Sequence, residues 1–155
     1  MSQTEDKLKS LLLMKILNEN WGDIMIHNLF ISHSWTYSDA YKNLVNLLDA
    51  DPYFSYNNYS VPKDDPIHNA VDDYQLKAAI RNKMQHTNCV LILAGVYSTY
   101  SKWINIEIQL AKEMGKKIIA IEPWGSERTS ATVKNNANAI VKWQTSSIIK
   151  AIRGY

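Results

Sequence analysis

One carboxylate is conspicuous by its position. Over the segment Lys102 to Met114, at about 100° per residue, Ile104, Ile108, Ala111, Met114, Trp103 and Leu110 share one side of a helix, and Asn105, Gln109, Lys112 and Glu113 take the other. Glu107 falls near 300° on a wheel that starts at Ile104, inside the apolar arc and one turn after Trp103. An unpaired charge on such a face is costly. Three readings are open: the carboxylate is tied to a neighbouring backbone group or arginine, it leans out to solvent, or it floors a cleft beside an aromatic wall with its pKa raised. Only the third carries chemistry, because a fixed anion in a water-poor cleft stabilises positive charge that develops on a substrate. Other polar groups cluster in three places: Ser32-His33-Ser34-Trp35 after an apolar run, Lys63, Asp64, Asp65 and His68 around Pro62 and Pro66, and Tyr97 and Tyr100 beyond Gly95. Each of these alone reads equally well as a solvated loop residue.

The elements that would position them follow from periodicity. His27 to Ser32 is a short apolar run that ends in polar residues, and Ala40, Tyr41, Leu44, Val45, Leu47 and Leu48 then mark a helix. Tyr53 to Tyr56 and Tyr59 to Val61 are β-prone, and Leu76, Ile80 and Met84 recur four apart. Cys89 to Ala94 and Lys117 to Ile121 are apolar on consecutive positions, the pattern of strands covered on both faces. Gly115 is placed to cap the helix that begins near Lys102. The end of the chain reads as a polar loop through Asn138, a short strand at Ile140 to Trp143 and a helix over Ser146 to Arg153. Ahead of all this, Ser2 to Asn20 reads as an amphipathic helix with a capping box at Ser2 and Glu5 and apolar Leu8, Leu11, Leu12, Met14 and Leu17.

Strands separated by single helices specify an α/β fold, a flavodoxin-like three-layer sandwich around a mostly parallel sheet of four or five strands, with an extra N-terminal helix. Ligands of such sheets bind beyond the carboxyl ends of the strands. That places the interest on Ser32 to Trp35, Val61 to His68, Gly95 to Ser101 and Ile121 to Gly125.

Composition narrows the function classes. With 155 residues, 46% hydrophobic, the chain can bury roughly 70% of its unfolded surface without disulfides or metal. No apolar run approaches the roughly 18 residues of a membrane-spanning helix, and 17 basic against 15 acidic residues give no footprint for nucleic acid. The single cysteine, Cys89, reads as a packed thiol. The acidic, polar start does not resemble a signal peptide, so cytoplasm is the expected location. Nine Tyr and five Trp are an excess that suits recognition of a ring-bearing ligand or a protein surface. A phospho-acceptor domain needs an aspartate at the end of its third strand, where this chain has Ala94-Gly95. A flavodoxin would hold phosphate in the first loop, where hydroxyls occur without the expected glycine. No G-x-G-x-x-G, P-loop, C-x-x-C, H-E-x-x-H or G-x-S-x-G occurs, and no metal site is expected.

Phe30-Ile31-Ser32-His33-Ser34, Cys89 to Leu93, and Ser101-Lys102-Trp103-Ile104-Asn105-Ile106-Glu107-Ile108 resemble the Toll/interleukin-1 receptor (TIR) domains, most of all the bacterial TIR-like branch of Thoeris anti-phage systems. The resemblance divides the chain into an N-terminal helical extension, residues 1–24, and a TIR-like domain, residues 25–155. It implies that Trp103 and Glu107 match the W-x-x-x-E motif of TIR enzymes that cleave the nicotinamide–ribose bond of NAD. Glu107 would then be catalytic, bonding the ribose hydroxyls and stabilising an oxocarbenium-like transition state. Ser32, His33, Trp35, Trp103 and Asp64 are the expected substrate-binding residues. NAD is the substrate and no cofactor is required. The resemblance also implies a cyclic ADP-ribose type signal that reaches a separate effector protein, and a homo-oligomer, with neither nucleic acid nor membrane as partner. Departures exist: many NAD-cleaving TIR domains carry Tyr or Arg after the serine of the first strand, where this chain has His33. The rival from another class is a TIR-like interaction module that self-associates or binds a partner and makes no product.

Overall fold

A computed structural model describes residues 3–32, 38–60, 73–95, 102–122 and 130–154. Five strands form one sheet: β1 (His27–Ser32), β2 (Tyr56–Asn58), β3 (Cys89–Leu93), β4 (Lys117–Glu122) and β5 (Ala139–Lys142). Their order is β2-β1-β3-β4-β5 and every pairing is parallel. This is the flavodoxin-like strand order, in which the chain winds one way from β1 to β2 and the other way from β3 onward. Helices α1 (Gln3–Ile24), α2 (Ser38–Asp49), α3 (Asp73–Met84), α4 (Lys102–Glu113), α5 (Ala131–Asn136) and α6 (Thr145–Arg153) complete the described elements.

Because side chains alternate across a strand, each central strand feeds two cores. Phe30, Val90, Ile92, Ala94, Ile118 and Ala120 pack against α3, α4 and α5. Leu29, Ile31, Leu91, Ile119 and Ile121 pack against α2 and α6. Cys89 belongs to this second core, where burial pushes its thiol up to about 12, opposed by the nearby Lys117 charge. Tyr41, Phe54 and Trp143 also pack there. The α/β sandwich with a mostly parallel sheet is therefore as the periodicity predicts. Gly115 takes φ +64° just after α4, a left-handed conformation that glycine adopts without Cβ strain.

Three local expectations need correction. The polar stretch before Asn138 contains a helix, α5, whose N-terminus is capped by the Ser130 hydroxyl accepting from the Val133 amide. Six residues are too few for a visible apolar period. The second strand is only Tyr56–Asn58, starting on the last residue of the first β-prone segment and ending before the second, and its polar Asn57 and Asn58 are held by pairing with Asn28 and Leu29. Lastly, α1 is not amphipathic. Leu13 and Ile16 fill the flanks that the spacing left out, so that between Leu8 and Leu17 apolar side chains encircle the helix, all of them 45% to 71% exposed.

Candidate active site

Ser32 ends β1, and its register partner is Ile92 on β3. These two neighbours flank the point where the winding reverses, the place where open α/β sheets leave a crevice at their carboxyl edge. Ser32 shares the parity of Phe30, so its side chain leaves the sheet on the α4 face. There its Oγ donates to Oε2 of Glu107. Ile104, Ile108 and Ala111 bury the same helix against the sheet, which fixes the height of Glu107 above the strand end. Ion pairs at 2.6 Å, Arg81 with Glu113 and Lys102 with Asp73, fasten α4 to α3; both are solvent-exposed and contribute register more than stability.

Glu107 is 6% exposed and so does not lean to solvent. Burial pushes its pKa up to about 8, against the opposing effect of the Ser32 hydroxyl, which favours the charged form. A buried carboxyl with a raised pKa at the carboxyl end of a strand is a candidate functional group. Trp103, one turn earlier, is half-buried against the core that contains Phe30 and Ile92. The structure thus brings together Ser32 and Glu107, with Trp103 on the same helix. His33, Trp35 and Asp64, the remaining expected binding residues, lie outside the described residues, as do Lys63, Asp65, His68, Tyr97 and Tyr100. Among the described residues no group of three His, Cys, Asp or Glu could hold a metal ion, and no helix is long and apolar enough to cross a membrane.

Ser32, an expected substrate-binding residue, is buried and its hydroxyl donates to Glu107, so it can set the charge state of that carboxyl. Ser32→Ala should raise the pKa of Glu107 further, because the hydrogen bond that favours the carboxylate is lost. A pH titration of Glu107 followed by carboxyl-carbon NMR should show the shift. Unchanged titration would assign the serine to packing alone.

Glu122, at the end of β4, is a second buried acid at this edge, paired with Lys134 and Lys142. The sequence marked the segment Ile121 to Gly125 without singling out this residue. Its signal was a carboxylate directly after the apolar run Ile118 to Ile121.

The family model of the Thoeris protein ThsB, TIR-like domain, matches residues 30–128. The chain belongs to this family. Its match begins at Phe30 within β1, takes in Ser32 and α4 with Trp103 and Glu107, and runs past the end of β4. Among solved structures, the Clostridium botulinum CMP N-glycosidase is similar to this TIR-like domain at 16% sequence identity, with a TM-score of 0.50 over 83% of this chain and 99% of that one. At that identity the likeness is one of fold. No curated protein matches the sequence.

Proposed function

We propose that this TIR-like domain cleaves the nicotinamide–ribose bond of NAD, and that the buried Glu107 carboxyl, held by Ser32 at the carboxyl end of β1, is the catalytic group. The observation that carries the reading is the pairing of a buried acid with a strand-end hydroxyl at the winding reversal, on a helix bearing the W-x-x-x-E spacing. Nicotinamide leaves from a cationic ring and requires no general acid, so one carboxylate suffices. In the free protein Glu107 is largely protonated at neutral pH. A bound pyridinium cation favours its charged form and expels that proton. As the glycosidic bond breaks, the positive charge moves from the ring nitrogen to the ribose, where the fixed carboxylate stabilises it more than mobile water would. Trp103 supplies an aromatic wall, and His33, Trp35 and Asp64 complete the substrate-binding set.

The Thoeris family supports a role for this chemistry in anti-phage defence, and we assign the product as a cyclic ADP-ribose type signal that acts on a separate effector. The domain works in the cytoplasm as a homo-oligomer. Residues 25–155 form the TIR-like unit and residues 1–24 an extension. The exposed leucines of α1 support self-association. They also favour the second reading, an interaction module that makes no product.

Mass spectrometry of NAD incubated with the protein, both dilute and concentrated enough to assemble, separates the two. Free nicotinamide with an ADP-ribose isomer is the expected result. Intact NAD under every assembly condition, including after exposure to infected-cell extract, would leave the interaction module.

A further inference from the structure

The carboxyl edge of the sheet carries a charged group two strands from Ser32 that the cleavage step does not use. Glu122 shares the parity of Ile118 and Ala120, so its side chain leaves β4 on the face covered by α3, α4 and α5, the same face as Ser32 and Glu107. Its Oε1 accepts from Lys134 Nζ of α5 at 3.1 Å, and its Oε2 pairs with Lys142 Nζ, from its own register partner on β5. Two ammonium groups on one carboxylate leave a net positive charge. The acid is shielded, with its side chain 11% exposed, while those of Lys134 and Lys142 are 40% and 77% exposed. Each ammonium has three donors, so bonding to Glu122 leaves N–H groups that can meet a further acceptor. The carboxylate also holds two otherwise mobile side chains in place, which reduces the ordering cost when an anion binds.

The spacing of the two strand ends bears on what the anion is. Ser32 and Glu122 are separated by two strands at about 4.8 Å each and two residues at about 3.3 Å each, so about 12 Å lies between them. A mononucleotide holds its 5′-phosphate within one ribose of the glycosidic carbon and falls short of that distance. In a dinucleotide the second phosphate of the bridge lies one P–O–P link farther out, toward that distance. We infer that Lys134 and Lys142, pinned by Glu122, form an anion subsite for the diphosphate of a dinucleotide whose glycosidic carbon lies at Glu107. The inference rests on the NAD reading of the site and deepens it: the domain discriminates dinucleotide from mononucleotide at the β4–β5 end of its sheet.

The test compares NAD with nicotinamide mononucleotide, which has the same scissile bond and one phosphate. Lys134→Gln and Lys142→Gln are made singly, so that Glu122 keeps one ammonium in each. Each should raise KM for NAD about five- to tenfold with kcat little changed, and lower the NAD to mononucleotide ratio of kcat/KM by a similar factor. Lys142→Arg, which keeps the charge, should restore most of the ratio. Equal losses on both substrates, or an unchanged ratio, overturn the subsite. Calorimetric binding of ADP to the same proteins gives an answer independent of turnover. If the wild-type protein cleaves no NAD, the catalytic reading fails; weaker ADP binding by both variants would still uphold the anion subsite, and equal binding would remove it.

Discussion

Glu107→Gln is expected to lower nicotinamide release from NAD by at least roughly 10²-fold to 10³-fold, the loss that follows removal of one preorganised electrostatic group from a transition state. Glutamine has nearly the volume of glutamate and its amide oxygen still accepts from Ser32 Oγ, so the packing of α4 on the sheet is retained. The variant should therefore unfold cooperatively and still bind NAD, with most of the loss falling on kcat and a smaller rise in KM from the lost attraction to the pyridinium. Turnover at the wild-type rate would remove Glu107 from the mechanism. A variant that loses activity together with its fold would be uninformative alone, and thermal melting of both proteins distinguishes that case.

The second large effect is on pH dependence. The free protein must lose the Glu107 proton before it can stabilise a cationic ribose, so kcat/KM should climb close to tenfold per pH unit and level off above about 8. In the complex the pyridinium charge favours the carboxylate, so kcat should level off at lower pH than kcat/KM. A rate that falls above pH 8 would instead give Glu107 the role of proton donor to a neutral leaving base. The same group shapes stability with a definite sign. Its pKa is raised from 4.5 to about 8 on folding, so its favourable contribution is full below pH 4.5, declines as pH rises and is gone above about 8. Across that window Glu107→Gln should gain on the wild type by about 1.4 kcal/mol for each pH unit crossed, read from denaturant unfolding at a series of pH values.

The central strands β3 and β4 were legible because both of their faces are covered, which writes a continuous apolar run into the sequence. The acid was legible for the opposite reason: on a helix whose other positions on that side pack into a core, Glu107 breaks the pattern. What it touches was not. Ser32 lies 75 residues away in the chain, and only the β1–β3 pairing and the docking of α4 bring the two together. The cluster of Glu122, Lys134 and Lys142 was hidden likewise, since it needs the β4–β5 register and a helix too short to show a period. In α1 the error was one of selection. Five apolar positions suggest a stripe, whereas the full set, with Leu13 and Ile16, wraps the helix.

The lone thiol offers a different use of the fold. Cys89 opens β3 at 2% exposure, between Leu29 on one neighbouring strand and Lys117 on the other, with its pKa held near 12. In the closed protein it is nearly inert to alkylating reagents, which attack the thiolate. Its rate of labelling is therefore a clock for opening of the central sheet, readable without any introduced probe.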